Sequence, residues 1–94
     1  MMLKVGVIGY GYWGPNLVRN FMACPDAVVT AVSDVLEDRL PPLRKLYPGL
    51  KTSCDSTELI NDPSIDAIII ATPVSSHFEL ALAALRSGKH VLVE

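Results

Sequence analysis

A doubly wound α/β domain, with a parallel sheet covered by helices on both faces, is the architecture this sequence predicts. Three observations predict it. Short, β-branched apolar runs alternate with stretches of helical periodicity throughout the 94 residues. Within Ile65 to Thr72, the run Ala67-Ile68-Ile69-Ile70-Ala71 shows no polar alternation, as expected of a parallel strand buried on both faces. The first apolar run also breaks into a glycine turn, Gly9-Tyr10-Gly11-Tyr12-Trp13-Gly14, that opens directly onto a helix.

Taken in order, Leu3 to Ile8 forms the first strand. Gly14 to about Ala23 forms a helix, with Leu17, Val18 and Phe21 at helical spacing and Pro15 in the first turn, where a missing N–H costs nothing. Cys24-Pro25-Asp26 stops that helix, and Ala27 to Ser33 forms a second strand that delivers Asp34 at its end. Leu36 to Tyr47 is helical but expected in two short pieces, because Pro41-Pro42 interrupts it and Pro48-Gly49 closes it. Lys51 to Cys54 is a short third strand. Asp55-Ser56-Thr57-Glu58 resembles a capping box opening a helix through Ile60, and Asn61 to Ser64 is a turn. Ile65 to Thr72 is the fourth strand. Ser76-His77-Phe78-Glu79 is a second expected capping box, with Phe78, Leu82 and Leu85 on one face of the helix that follows. Gly88 ends this helix, with Arg86 and Lys89 complementing its negative end, and His90 to Val93 begins a fifth strand. Alternating strands and helices imply right-handed crossovers and the strand order 3-2-1-4-5 in a single domain spanning 1–94. The ligand crevice is then expected between strands one and four.

Composition narrows the class. Half the residues are apolar, so a core is available, although one of modest burial at this length. The net charge is −2 with both signs interspersed, which argues against nucleic acid or an anionic membrane as partner. No apolar run has the length of a membrane span, and the start lacks a signal-peptide layout, so a cytoplasmic protein is expected. Cys24 and Cys54 are far apart and lack a basic partner in sequence. They are read as free thiols, buried or inert, in a reducing compartment. No metal site is expected.

The glycines fall as G-x-G-x-x-G, and each has a mechanical role in a dinucleotide site. Gly9 permits the sharp turn off the strand, Gly11 lets the backbone approach a pyrophosphate, and Gly14 brings the helix close to the sheet. The helix N-terminus offers unpaired N–H groups and a positive dipole end to the anion. Tyr10, Tyr12 and Trp13 would work through backbone N–H groups aimed at the phosphates. Their rings either wall the nicotinamide side or pack on neighbouring loops. Asp34 lies 20 residues beyond Gly14, the spacing at which a carboxylate accepts from the adenosine ribose hydroxyls. It favours NAD over NADP. A like charge at ~4 Å and an effective dielectric of ~20 costs on the order of 4 kcal/mol, an upper figure for an exposed site. Val35 follows, so no immediate arginine rescues a 2′-phosphate. Arg39 is expected as a solvated helix charge, with pairing to Asp34 or stacking near the adenine as alternatives. At the end of the fourth strand, Thr72 supplies a hydroxyl and Pro73 fixes a turn. His77, at a helix start where the dipole disfavours its charged form, bonds a ribose hydroxyl or a backbone group, or merely caps and packs. His90 is read as structural. Glu94, at the ligand-side end of the fifth strand, could reach the nicotinamide or hold a lysine.

The sequence resembles the nucleotide-binding domain of the glucose–fructose oxidoreductase / inositol dehydrogenase / MocA family. The resemblance is carried by GVIGYGYWG (Gly6–Gly14), Ser33-Asp34, ELINDPSIDAIIIATPVSSH (Glu58–His77) and GKHVLVE (Gly88–Glu94). It implies a Rossmann domain with Gly9 to Trp13 on the pyrophosphate, Asp34 on the adenosine ribose, and Thr72, Pro73 and His77 around the nicotinamide ribose. Many members carry Asn where this chain has Val74. The implied chemistry is hydride transfer between NAD(P) and a hydroxyl carbon of a sugar, cyclitol or nucleotide sugar. The family's closing motif runs Glu-Lys-Pro, and its lysine serves catalysis. The given residues end on Glu94, before the place of that lysine and of the family's second, substrate-binding domain, so the resemblance implies no catalytic residue among them.

A fifth strand without a sequel leaves an open edge, so a fragment of a longer oxidoreductase is expected, one that binds dinucleotide without turnover. Two other readings stand beside it. One is a non-catalytic nucleotide sensor on the same fold. The other is an excised or engineered minimal unit that self-associates through the edge His90 to Glu94.

Overall fold

A computed structural model of the chain describes residues 2–94. Its five strands are β1 (Leu3–Ile8), β2 (Ala27–Ser33), β3 (Lys51–Ser53), β4 (Ala67–Ile70) and β5 (His90–Val93), and four α-helices run between them. These are α1 (Gly14–Met22), α2 (Leu40–Leu46), α3 (Ser56–Ile60) and α4 (His77–Arg86). The sheet order is β3-β2-β1-β4-β5, and every adjacent pair is parallel. The order and direction are those the alternation of elements predicts.

The period-2 geometry of the strands divides the core into two layers. On one face, Val5, Val7, Val29, Val32 and Ile69 pack with Val18 of α1 and Leu40 and Leu43 of α2. On the other, Ile8, Ala31, Ile68 and Ile70 pack with Leu59 and Ile60 of α3 and Ala84 of α4. The four buried residues of β4 therefore serve both layers in alternation, which is why their sequence is apolar without a break. A bulge interrupts the β1–β2 register. Val5 pairs with Val29 but Gly6 pairs with Ala31, leaving Thr30 as the extra residue. The bulge turns Ala31 to the opposite face from Val29, and the Thr30 hydroxyl is buried with no hydrogen-bond partner among the described residues.

Several local expectations need correction. The stretch from Leu36 to Tyr47 does fall into two short pieces, as expected, but Pro41 and Pro42 are not themselves the break. They occupy the first turn of α2, after a separate 3-10 turn at Glu37–Arg39, where the absent N–H groups would have had no helical acceptor. At α3, Asp55 Oδ1 accepts from Thr57 N at 3.0 Å, as a cap should, but the reciprocal arm is missing. Glu58 accepts instead from the Ser53 hydroxyl, and Asp55 N donates to Ser53 Oγ at 3.0 Å. Ser76 caps nothing with its side chain, since its hydroxyl turns back to Thr72 Oγ1 at 2.6 Å and Pro73 O at 2.9 Å. The face of α4 that meets the sheet is Leu80, Ala81 and Ala84, whereas Phe78 is 75% and Leu85 59% exposed. Lys89 serves the end of α4 through its backbone N–H, which donates to Ala84 O at 3.1 Å, and not through its side-chain charge. It is buried, and its ammonium donates to Asp62 O and Ile65 O at 2.7 Å each, tying the start of β5 to the turn before β4. Both cysteines are exposed rather than buried. The Glu37 carboxylate that accepts from Cys54 at 3.1 Å pushes that thiol up from its ordinary range.

Candidate functional site

The strand order reverses between β1 and β4, and the C-terminal ends of the strands open there into a cleft of about 840 Å³. Of the residues expected at a ligand site, Gly9, Gly11, Tyr12, Trp13, Asp34, Thr72, Pro73, His77 and Glu94 all line it. Tyr10 and Gly14 stand behind the wall as supports.

The glycine turn is built by close approach. Gly9 has φ +101°, a left-handed conformation, and its N–H donates to Ser33 O at 2.8 Å, binding the end of β1 to that of β2. A Cβ on Gly14 would come within 2.2 Å of Gly9 O. Gly14 thus lets the loop close on itself, a tighter requirement than the helix-to-sheet fit expected of it. A Cβ on Gly11 would meet only the Arg39 guanidinium, with Nη1 at 2.9 Å. The turn delivers the chain to α1, whose N-cap is Trp13. No side chain caps α1, Pro15 lies in its first turn, and that turn holds no acidic residue. Its N-terminal dipole is therefore not neutralised by a carboxylate of its own first turn. Tyr12 is 82% and Trp13 49% exposed, and their rings meet edge to face with centroids 5.0 Å apart. Tyr10 is used differently. Its ring packs against the core beside α1, and its N–H donates to Asp34 Oδ2 at 2.8 Å.

Asp34 is the most heavily engaged side chain of the site. It is 4% exposed. Leu36 N donates to Oδ1 at 2.8 Å, and Arg39 Nη1 reaches Oδ2 at 3.1 Å and Oδ1 at 3.5 Å. Burial alone would raise its pKa, but the two amides and the guanidinium outweigh that and hold it below the ordinary carboxylate value. Arg39 is therefore paired rather than a free helix charge.

On the opposite wall, Ala71 N donates to Ile8 O at 2.8 Å, carrying the β1–β4 ladder one residue past β4. The chain then turns at Pro73 into a 3-10 segment, Val74–Ser76, that leads into α4. His77 closes this loop, with Nε2 2.7 Å from Thr72 O. A carbonyl can only accept, so Nε2 carries the proton and Nδ1 is the nitrogen left for other partners. Glu94 N donates to Ile70 O at 2.9 Å, which sets Glu94 at the cleft rim beside β4. Ser33 also lines the cleft, a residue that strand periodicity did not single out. Its hydroxyl is buried with no partner among the described residues.

Fold and cleft together define a Rossmann-type nucleotide-binding domain. The chain belongs to the Gfo/Idh/MocA oxidoreductase family: the family model described as "Oxidoreductase family, NAD-binding Rossmann fold" matches residues 3–94. Over 92 residues it is 37% identical to a myo-inositol 2-dehydrogenase of Thermotoga maritima, covering 98% of this chain and 28% of the relative. Over 92 residues it is 29% identical to an NADP(+)-type scyllo-inositol 2-dehydrogenase of Bacillus subtilis, covering 98% of this chain and 25% of that protein. A crystal structure of scyllo-inositol dehydrogenase from Lactobacillus casei with bound NAD(H) and scyllo-inositol superposes with a TM-score of 0.90 at 26% identity, covering 99% of this chain and 28% of that one. The chain thus spans about a quarter of the length of these relatives. No helix among the described residues is long and apolar enough to cross a membrane.

Proposed function

We propose that this chain is the cofactor-binding part of an oxidoreductase that prefers NAD to NADP. The longer protein would act on a hydroxyl carbon of a sugar, cyclitol or nucleotide sugar. The observation that carries this reading is the convergence, at the point of sheet reversal, of an uncapped helix N-terminus, a turn with room for no Cβ at Gly14, and a buried carboxylate. The donor set fits a dinucleotide. Gly11, Tyr12 and Trp13, with the N-terminus of α1, would hold the pyrophosphate through backbone N–H groups and dipole, and Tyr10 acts one step back by orienting Asp34. Asp34, ionised at neutral pH, would accept from ribose hydroxyls. Thr72, Pro73 and the free Nδ1 of His77 would face the nicotinamide ribose, with Glu94 at the far rim. Bound there, the cofactor supplies a hydride acceptor or donor. The chain's own groups would bind and orient it. The 94 residues are expected to bind dinucleotide without turning substrate over.

Calorimetric titration with NADH and NADPH, beside an assay with NAD and inositol, tests both halves. Selective NADH binding that is lost or relaxed in Asp34→Ala, with no sustained NADH formation, is the expected result. A folded sample that binds neither nucleotide would overturn the reading.

A further inference from the structure

The loop between β4 and α4 turns its side-chain donors back on itself. Pro73 O accepts from Ser76 N at 3.1 Å and lies 2.9 Å from Ser76 Oγ, which in turn lies 2.6 Å from Thr72 Oγ1. A carbonyl only accepts, so the single proton of the Ser76 hydroxyl goes to Pro73 O. Ser76 Oγ is then the acceptor in its contact with Thr72, and the proton between the two oxygens is that of Thr72. The Thr72 side chain is held for this by its other branch. Its methyl, Cγ2, lies against the glycine turn, 3.1 Å from where a Cβ on Gly9 would stand. A β-branched side chain fixed at one branch has the other fixed with it. Thr72 O is taken as well, by His77 Nε2 at 2.7 Å. What Thr72 and His77 still present is therefore lone pairs, on Thr72 Oγ1 and, in the neutral imidazole, on Nδ1. Both residues line the cleft.

We propose that Ser76 is a positioning residue: by taking the Thr72 proton it makes that hydroxyl a hydrogen-bond acceptor toward the cleft. The inference rests on the dinucleotide reading above and adds to it the direction of a bond and the residue that sets it. The group Thr72 receives is then a donor, a ribose hydroxyl or a carboxamide N–H, and not a phosphate oxygen. The N-terminus of α1 makes the opposite offer, N–H groups and a positive dipole end, which suit a phosphate. That contrast between glycine turn and loop orients the nucleotide along the cleft.

The test is a set of dissociation constants for NADH and for ADP, which lacks the nicotinamide riboside, with thermal melts to establish folding. The unsubstituted chain is compared with Ser76→Ala, Ser76→Thr, Thr72→Val and the double variant of Ser76→Ala with Thr72→Val. Ser76→Ala frees the Thr72 proton to point into the cleft, so NADH should bind about fivefold weaker, the scale of one hydrogen bond, with ADP unchanged. Ser76→Thr keeps the hydroxyl and should bind NADH as the unsubstituted chain does. The double variant should bind NADH no worse than Thr72→Val alone, because Ser76 acts through the hydroxyl that Thr72→Val removes. Losses that multiply in the double variant would give Ser76 a role of its own and overturn the proposal. So would an unchanged NADH constant in Ser76→Ala, or an ADP loss as large as that of NADH, the mark of a merely structural residue. Should Ser76→Ala fail to fold, full NADH affinity in Thr72→Val would overturn it as well. Failure of the unsubstituted chain to bind either nucleotide is a separate result and would remove the dinucleotide reading itself.

Discussion

Replacing Gly14 with Ala should unfold the glycine turn, whereas replacing Gly11 should leave it standing and remove its use. At Gly14 the added methyl would lie 2.2 Å from Gly9 O, more than an ångström inside ordinary contact. That carbonyl cannot retreat cheaply, because Gly9 is held at φ +101° and its N–H is bonded to Ser33 O at 2.8 Å. Overpacking of this kind costs about 1–3 kcal/mol and more where backbone must move, while the better helix propensity of Ala returns up to about 1 kcal/mol. A net loss of about 2 kcal/mol lowers the melting temperature of a domain this size by roughly 8–16 °C. At Gly11 the methyl meets only the end of a flexible, half-exposed Arg39, whose pairing with Asp34 is worth about 1 kcal/mol at most. Thermal melts of the two variants followed by circular dichroism, with NADH titration of Gly11→Ala, check both arms. A wild-type melting temperature for Gly14→Ala would refute the close-approach argument. So would a collapse of Gly11→Ala to an unfolded chain, which would mean that the cleft wall cannot yield.

The remaining predictions concern the buried charges. The Asp34 pKa is lowered in the folded chain, so its contribution to stability is fully present above the unfolded value of about 3.9. That contribution should be lost as pH falls through the lower, folded value. Urea midpoints at pH 5 and pH 3 should therefore fall more steeply in the wild type than in Asp34→Asn, whose side chain does not titrate. Equal slopes would show that Asp34 is not linked to folding. Lys89→Met should destabilise the fold by about 2–3 kcal/mol, because Asp62 O and Ile65 O lose the buried ammonium that both accept from. Arg86→Met, on the exposed end of α4, should change the urea midpoint little, and a similar loss in both variants would argue against a specific clamp.

Much of this protein was legible because the signals are local. A β-branched run, a glycine turn with no acid after it and an unalternated AIII segment are each complete within a few residues. Once strands and helices alternate, the handedness of crossovers leaves few topologies, and 3-2-1-4-5 follows. The resemblance then ordered the same residues around one ligand. The side of α4 that would be buried was not legible in this way. In HFELALAALR, apolar residues lie nearly all round, so the row Phe78, Leu82, Leu85 and the row Leu80, Ala81, Ala84 have equal claim until the sheet chooses.

The sequence by itself determined the order of elements, the position of the glycine turn and the delivery of Asp34 to the end of β2. Each depends on periodicity and steric rules that act over one or two turns of chain. Only the tertiary structure decided what the polar groups do. Asp34 meets Tyr10 N across 24 positions, and Lys89 meets Asp62 O across 27. Thr30 is set apart by a register shift between β1 and β2. These pairings exist because parallel strands bring distant segments side by side. A buried donor or acceptor must take a partner from what that packing places beside it, and no local pattern records the choice.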